Sequence, residues 1–321
     1  MGQQSATPFL SLRVLIALSL ALLWQSISIP ARATEGGGNS YPMGVETNLN
    51  GFMLPEGAHW FTYYQYYSAR HSKNNAGADN PQLAHFELNS HVIAPRLSYV
   101  WPRVNFLGAN IETRIVQPIA AVDLDLAVNR PGGLPPLDRG GDHTGLADMS
   151  FSPIILGWHG TSYHQTVGID THVKTGSYDA TRTVNTGRNY SQIALFYALT
   201  WFPAPGWDVN AKIRYATNSS NKATHYRSGD EATIEFSGGW RPSPSLAIGL
   251  NGYLYHQTTD DEQNGAAVNG NGNRGRVAAL GPYVTLNLTQ KLALVAKLQS
   301  EFDARNKPQG NRIWLQLKVP M

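Results

Sequence analysis

Runs of ten to fourteen residues in which apolar and polar side chains alternate one by one constrain this chain more than any other feature. Trp207, Val209, Ala211, Ile213 and Tyr215 alternate with Asp208, Asn210, Lys212 and Arg214. Tyr163, Val167, Ile169 and Val173 interleave with His164, Asp170, His172 and Lys174, and Ala232, Ile234, Phe236 and Trp240 oppose Glu231, Thr233, Glu235 and Arg241. The last run, Ile313 to Met321, repeats the rule. Side chains that change face at every residue describe a β-strand with one apolar and one polar side. No helical stripe of useful length follows residue 57.

Twelve such runs are predicted, at 58–68, 84–101, 105–118, 147–157, 163–175, 190–202, 207–218, 231–242, 245–257, 276–288, 291–302 and 312–321. Most are longer than the 5–6 residues typical of globular strands and match the ~9–11 that a tilted strand needs to cross a bilayer. The second run changes phase near Ile93-Ala94-Pro95, which reads as a bulge or as a division into two strands; fourteen is the alternative count. The connections alternate. Pro102 to Val104, Trp158 to Ser162, Pro203 to Gly206, Ser243-Pro244 and Thr289-Gln290 are tight, whereas 69–83, 119–146, 176–189, 219–230, 258–275 and 303–311 are long and polar. Short turns at one end and long loops at the other are the mark of an all-β, up-and-down antiparallel barrel in the outer membrane, with its short turns in the periplasm. Trp101, Trp158, Trp201 and Trp207 lie at strand ends beside the short turns, where an interfacial girdle belongs.

The N-terminus agrees with export. Val14 to Trp24 is an apolar run behind Arg13, too short to span a bilayer as a helix. Ala31-Arg32-Ala33 then offers the small-x-small pattern of a cleavage site. Residues 1–33 are therefore expected to be a signal peptide, 34–57 a periplasmic segment or lumen plug, and 58–321 the barrel. Charged residues make up only 15% of the chain, against roughly a quarter in soluble domains. No basic stripe suggests nucleic acid as a partner. Cysteine is absent, which excludes disulfides, thiolate metal sites and Cys nucleophiles.

In a barrel the polar faces line the lumen. That lining is predicted to include Asn110, Glu112, Arg114, His164, Asp170, His172, Lys174, Lys212, Arg214, Glu231, Glu235, Arg241, Lys297 and Glu301. Both signs occur in similar numbers, so the charges are expected chiefly to pair across the lumen, with Glu112, Arg114, His172 and Arg214 as candidates for solute contact. Tyr253 and Tyr255 share the inward register and read either as a track for an aromatic solute or as packed filling. Twelve strands enclose more space than wall side chains fill, so residues 34–57 or the 119–146 loop are the segments expected to fold inward.

Enzyme chemistry is not expected. No Gly-x-Ser-x-Gly elbow occurs, and His164 and His172, eight residues apart on one strand, are ~27 Å apart at strand rise, too far to share a metal. Asp260-Asp261-Glu262 reads as a solvated loop before a Ca²⁺ site. No cofactor is implied.

At the loop edges stand segments that periodicity does not require: Ser40-Tyr41-Pro42-Met43-Gly44-Val45-Glu46, Gly145-Leu146-Ala147-Asp148, Thr175-Gly176-Ser177-Tyr178-Asp179 and Asn185-Thr186-Gly187-Arg188-Asn189. Tyr226-Arg227-Ser228-Gly229-Asp230-Glu231, Gly281-Pro282-Tyr283 and Asn306-Lys307-Pro308-Gln309-Gly310 follow. In this order they resemble the MetA-pathway of phenol degradation family, from about residue 40 to the end. The resemblance implies a Gram-negative outer-membrane barrel, in contact with lipid and lipopolysaccharide, that carries small hydrophobic or aromatic solutes inward. The alternative is a structural or adhesive barrel with a closed lumen. Gly176, Gly187 and Gly229 are expected to supply positive φ at strand ends, and Arg227 to clasp Asp230. The functional alternative makes Tyr178, Asn189, Tyr226 and Arg227 a rim that captures solute. The chain ends Val319-Pro320-Met321, where such barrels commonly end in an aromatic residue.

Overall fold

The alternating runs form the wall. The computed structural model describes residues 37–289 and 292–320, so the expected signal peptide lies outside the described residues. In chain order the strands begin with β1 (Gly57–Ser72), β2 (Leu83–Phe106), β3 (Ala109–Val116), β4 (Ile119–Val128), β5 (Leu137–Asp138) and β6 (Gly141–Leu146). Next come β7 (Met149–His159), β8 (Tyr163–Val173), β9 (Gln192–Trp201), β10 (Trp207–Asn218), β11 (Tyr226–Arg227) and β12 (Glu231–Ser243). The last are β13 (Leu246–Gln257), β14 (Glu262–Gln263), β15 (Ala266–Ala267), β16 (Arg276–Asn287), β17 (Ala293–Arg305) and β18 (Pro308–Pro320).

Twelve of these close an antiparallel ring: β1, β2, β3, β7, β8, β9, β10, β12, β13, β16, β17, β18 and back to β1. The closing register sets Thr62 against Leu317 and Trp60 against Val319. Closure leaves no sheet edge, as a wall in hydrocarbon requires, because an unpaired backbone group there costs several kcal/mol. The outward faces carry the apolar set: Ile213 is 53% exposed and Leu195 61%. At the short-turn end, Trp60, Trp101, Trp201, Trp207 and Trp240 are all exposed, and the Trp207 and Trp240 rings lie 6.3 Å apart. The girdle is thus wider than the tryptophans next to short turns had suggested.

Four expectations need correction. The turn expected at Pro102 to Val104 is a bulge, with Arg103 at φ 59°, and β2 runs on to Phe106 before reversing at Leu107-Gly108. Residues 119–146 are not an inward loop: β4 pairs with β2 and β6, and they extend the wall beyond the membrane. The 303–311 connection shrinks to Asn306-Lys307, because β17 and β18 continue into it. Such strands escape a search for apolar alternation because water replaces lipid outside them.

The phase change near Ile93-Ala94-Pro95 has the same cause. β1 and β2 stay in one unbroken register from Gly57 opposite Val100 to Ala69 opposite Leu88, with neither a bulge nor a division. What changes is the neighbour: β2 pairs with β3 from Arg96 inward and with β4 from Ile93 outward. Pro95, which has no N–H, stands at the switch, and its carbonyl accepts from Gln117 N at 3.2 Å. Beyond this level the wall reverses its polarity. Leu88, Val92, Ala120, Val122 and Leu124 face the interior, while Glu87, Asn89 and His91 on β2, and Asp123 and Asp125 on β4, face out. Tyr64 and Tyr66 pack against His91 at the boundary with tilted rings, and Tyr64 Oη hydrogen-bonds His91 Nδ1 at 2.9 Å.

Candidate functional site

Residues 37–56, before β1, run through the interior from the long-loop end to the short-turn end, bonded to inward side chains all the way. Lys307 Nζ donates to Gly37 O and to Asn39 Oδ1 at the outer end. Glu235 accepts from Tyr41 Oη at 2.8 Å, Gly44 N at 2.5 Å and Glu46 N at 3.2 Å. Lys297 Nζ donates to Gly44 O, Val45 O and Thr47 Oγ1. Farther down, Leu49 N donates to Asn210 Oδ1 and Gly51 N to Thr200 Oγ1, both at 3.1 Å. Irregular backbone inside a membrane barrel must be satisfied in this way. At Gly51 a side chain has no room: its Cβ would lie 2.4 Å from Thr200 N and 2.5 Å from His164 O. Phe52 then packs edge-on to His164, with ring centroids 4.6 Å apart.

The centre of the site is a charge cluster. Glu112 accepts from Arg96 Nη2 at 3.3 Å and Arg114 Nε at 3.1 Å. Both arginines also reach Glu46, at 3.1 Å from Arg96 and 2.5 Å from Arg114, and Lys212 Nζ donates to the same carboxylate. Lys212 also lies 3.6 Å from Asp170. Arg214 donates to Gln192 Oε1 at 2.6 Å and lays its guanidinium 4.4 Å from the Tyr41 ring centroid. His172 meets the same ring edge-on and faces the cavity. Glu112, Arg114, His172 and Arg214 thus gather at one level of the lumen. Sequence reasoning missed Arg96, which stands next to the phase change, and gave Glu46 no role although it lies in a quoted motif.

Tyr253 and Tyr255 face inward but are completely covered, packed with Tyr41 and Met43 of the interior segment. Tyr253 Oη donates to Glu301 Oε1 at 2.5 Å, and Lys307 Nζ lies 4.7 Å from the Tyr255 ring centroid. They occupy packing positions and do not line the cavity.

The rim residues come together around Asn221. Its Nδ2 donates to Tyr178 Oη at 2.9 Å, its Oδ1 accepts from Asn189 Nδ2 at 2.8 Å, and its backbone pairs with Tyr226. Tyr226 Oη donates to Asp261, which also accepts from Gly229 N and Gln257 Nε2. Asp260 pairs with Arg274 at 2.6 Å, so the acidic run is committed to loop packing. Arg227 lies 3.6 Å from Asp230, the clasp expected.

The segment that folds inward from the outside is residues 174–191. Val184, Thr186 and Tyr190 are buried, and His143 on β6 bonds Ser177 Oγ at 2.8 Å. Asp148 ties it down, accepting from Gly176 N at 2.9 Å and Arg188 N at 2.7 Å. Burial raises the Asp148 carboxyl pKa against these bonds, and burial raises that of the Tyr190 phenol to about 12, with the charge of Glu231 adding to it. Gly176, Gly187 and Gly229 do not have the expected positive φ. They are small because backbones meet there: a Cβ on Gly176 would lie 2.5 Å from Gly187 Cα, and one on Gly229 2.1 Å from Thr259 O.

Between the interior segment, residues 174–191 and the β2–β4 wall lies a cavity of about 470 Å³. Leu88, Val92, Val116, Ala120, Val122 and Leu124 make one side apolar, and Arg96, Arg114, Glu46, Asp170 and His172 form its charged floor.

The sequence profile described as "Putative MetA-pathway of phenol degradation" matches residues 69–317. No curated protein sequence matches the chain. Among solved structures, the COG4313 outer membrane channel from Pseudomonas putida F1 superposes with a TM-score of 0.71 at 18% identity, over 84% of this chain and 97% of that one. The CymD monoaromatic hydrocarbon channel (TM-score 0.44, 9% identity, 84% and 89% covered) and a Pseudomonas aeruginosa FadL homologue (0.40, 9%, 88% and 96%) are more distant.

Proposed function

The chain belongs to the MetA-pathway of phenol degradation family and is an outer-membrane β-barrel, and on that premise we propose that it is a channel for small hydrophobic or aromatic compounds. The observation that carries this reading is the inverted wall. Where β2 and β4 stand outside the membrane, their apolar side faces a cavity and their polar side faces out. An apolar surface turned inward at that height lowers the free energy of an apolar solute that leaves water there, by about 25 cal/mol per Å² covered. The polar outer side suits the lipopolysaccharide layer, and the charged floor below the cavity offers hydrogen bonds to a hydroxyl or carboxylate. The family's description suggests that such solutes feed a phenol-type degradation pathway.

The alternative, a scaffold with a closed lumen, draws support from the interior segment, whose bonds run the length of the barrel. Uptake by proteoliposomes holding the refolded barrel separates the two. Benzoate at neutral pH, which crosses lipid poorly, is compared with a sugar and with empty liposomes. Saturable benzoate flux above sugar flux supports the channel. Equal flux indicates a general pore, and no flux above empty liposomes leaves the scaffold.

A further inference from the structure

Arg96, Arg114 and Lys212 converge on a carboxylate that the wall does not supply. It belongs to Glu46 of the interior segment. Without it, the wall cations Arg96, Arg114, Lys212, Arg214 and Lys297 at this level face the carboxylates of Glu112, Asp170 and Glu235, which stands directly opposite Lys212, so positive charge is in excess. Arg214 is buried with its Nε and Nη1 lacking a hydrogen-bond partner among the described residues. This is the composition of a carboxylate receptor: guanidinium forks and an ammonium around one anion, with positive charge left over.

The receptor opens on the cavity. Glu46, Arg96 and Arg114 line it, and two residues along the same strand faces stand Ala94 and Val116, followed on β2 by Val92. A molecule whose apolar body lies on this wall therefore brings its end to the two arginines. We propose that Arg96, Arg114 and Lys212 form a binding site for the carboxylate of an amphipathic acid, an aryl or alkyl chain ending in –COO⁻, and that Glu46 is the built-in occupant the solute displaces. The proposal rests on the channel reading above and names its substrate class. Exchange of one carboxylate for another leaves no buried cation bare, the condition under which breaking a buried ion pair is most costly. A neutral alcohol of the same skeleton cannot make that exchange, and an ammonium is repelled.

The test uses 3-phenylpropionate, 3-phenylpropanol and 3-phenylpropylammonium, titrated calorimetrically into the barrel in lipid nanodiscs, with empty discs as control. The acid is expected to bind wild type at least tenfold more tightly than the alcohol, with the amine weakest. Glu46→Gln, which removes the competing charge at constant shape, is expected to tighten acid binding a further tenfold and leave the alcohol unchanged. Equal binding of acid and alcohol by wild type, no acid binding, or an acid affinity that Glu46→Gln leaves unchanged or weakens overturns the proposal. Should Glu46→Gln fail to fold, judged by gel mobility before and after heating, the wild-type ratio of acid to alcohol still decides. Flux separates this failure from that of the channel reading. Equal saturable flux of benzoate and benzyltrimethylammonium keeps the channel and overturns the carboxylate site. Absence of flux with acid-selective binding keeps the site and overturns the channel.

Discussion

Glu46 Oε1 lies 2.5 Å from Arg114 Nη1, although 68 residues separate the two in sequence. The contact ties the segment that threads the lumen to the wall strand that floors the cavity: Arg114 is legible in the sequence as a lumen residue, whereas the role of Glu46 exists only once the barrel closes around it.

The lower end of that segment depends on a missing side chain. Gly51→Val places carbon against Thr200 N and His164 O, where no atom can give way without moving the wall. The variant is expected to fold as a barrel but release the segment from the short-turn end. Single-channel recording should show conductance raised severalfold over wild type; an unchanged conductance would mean that the segment does not limit the path there.

The inverted wall makes a pair of opposite predictions at adjacent residues. Val122 faces the cavity and Asp123 faces out, directly opposite Asp142. Val122→Asp is expected to lower saturable benzoate uptake about tenfold. Asp123→Leu should leave uptake intact and, by removing a like-charge cross-strand pair, hold or raise stability by about 0.2–1 kcal/mol in thermal unfolding.

Asp148 accepts from two half-buried turns of the inward loop, through Gly176 N and Arg188 N. Asp148→Ala leaves both donors unsatisfied, at a cost of about 1–3 kcal/mol each. The expected readout is faster hydrogen exchange confined to residues 174–191, with the strands protected as in wild type. Protection unchanged in that loop would show that Asp148 does not hold it.

Lys307, between β17 and β18, anchors the outer end of the segment. Burial lowers its pKa from 10.5 to about 8, with Glu231 and Glu301 opposing the shift. Between those two values the unfolded chain keeps a proton that the folded chain has lost, so this group makes stability rise with pH across the window, and its penalty is greatest below about 8. Melting curves of wild type and Lys307→Met should therefore diverge in slope between pH 8 and 10, with wild type gaining relative to the variant. Parallel curves would mean that Lys307 is charged and hydrated in the folded barrel.

Where lipid lies outside and polar groups inside, the sequence is sufficient. From Trp207 to Tyr215 each residue reports its own face, because burial in lipid is a local requirement that every second position must meet. Twelve strands, their order and the short-turn end follow from that, and the structure agrees. At Val92, Val122 and Leu124 the same alternation persists with its meaning reversed, and nothing local says whether the apolar side meets lipid or a cavity. Only the height of those residues above the membrane decides it. The charge cluster is tertiary in the same sense: Glu46, Arg96, Arg114 and Lys212 come from an irregular segment and three strands, and their pairing exists because closing the ring turns separate inward positions toward one point. Sequence periodicity fixes which way a side chain points; what it meets there depends on the parts of the chain that share the lumen, and ring closure and the path of residues 37–56 set that.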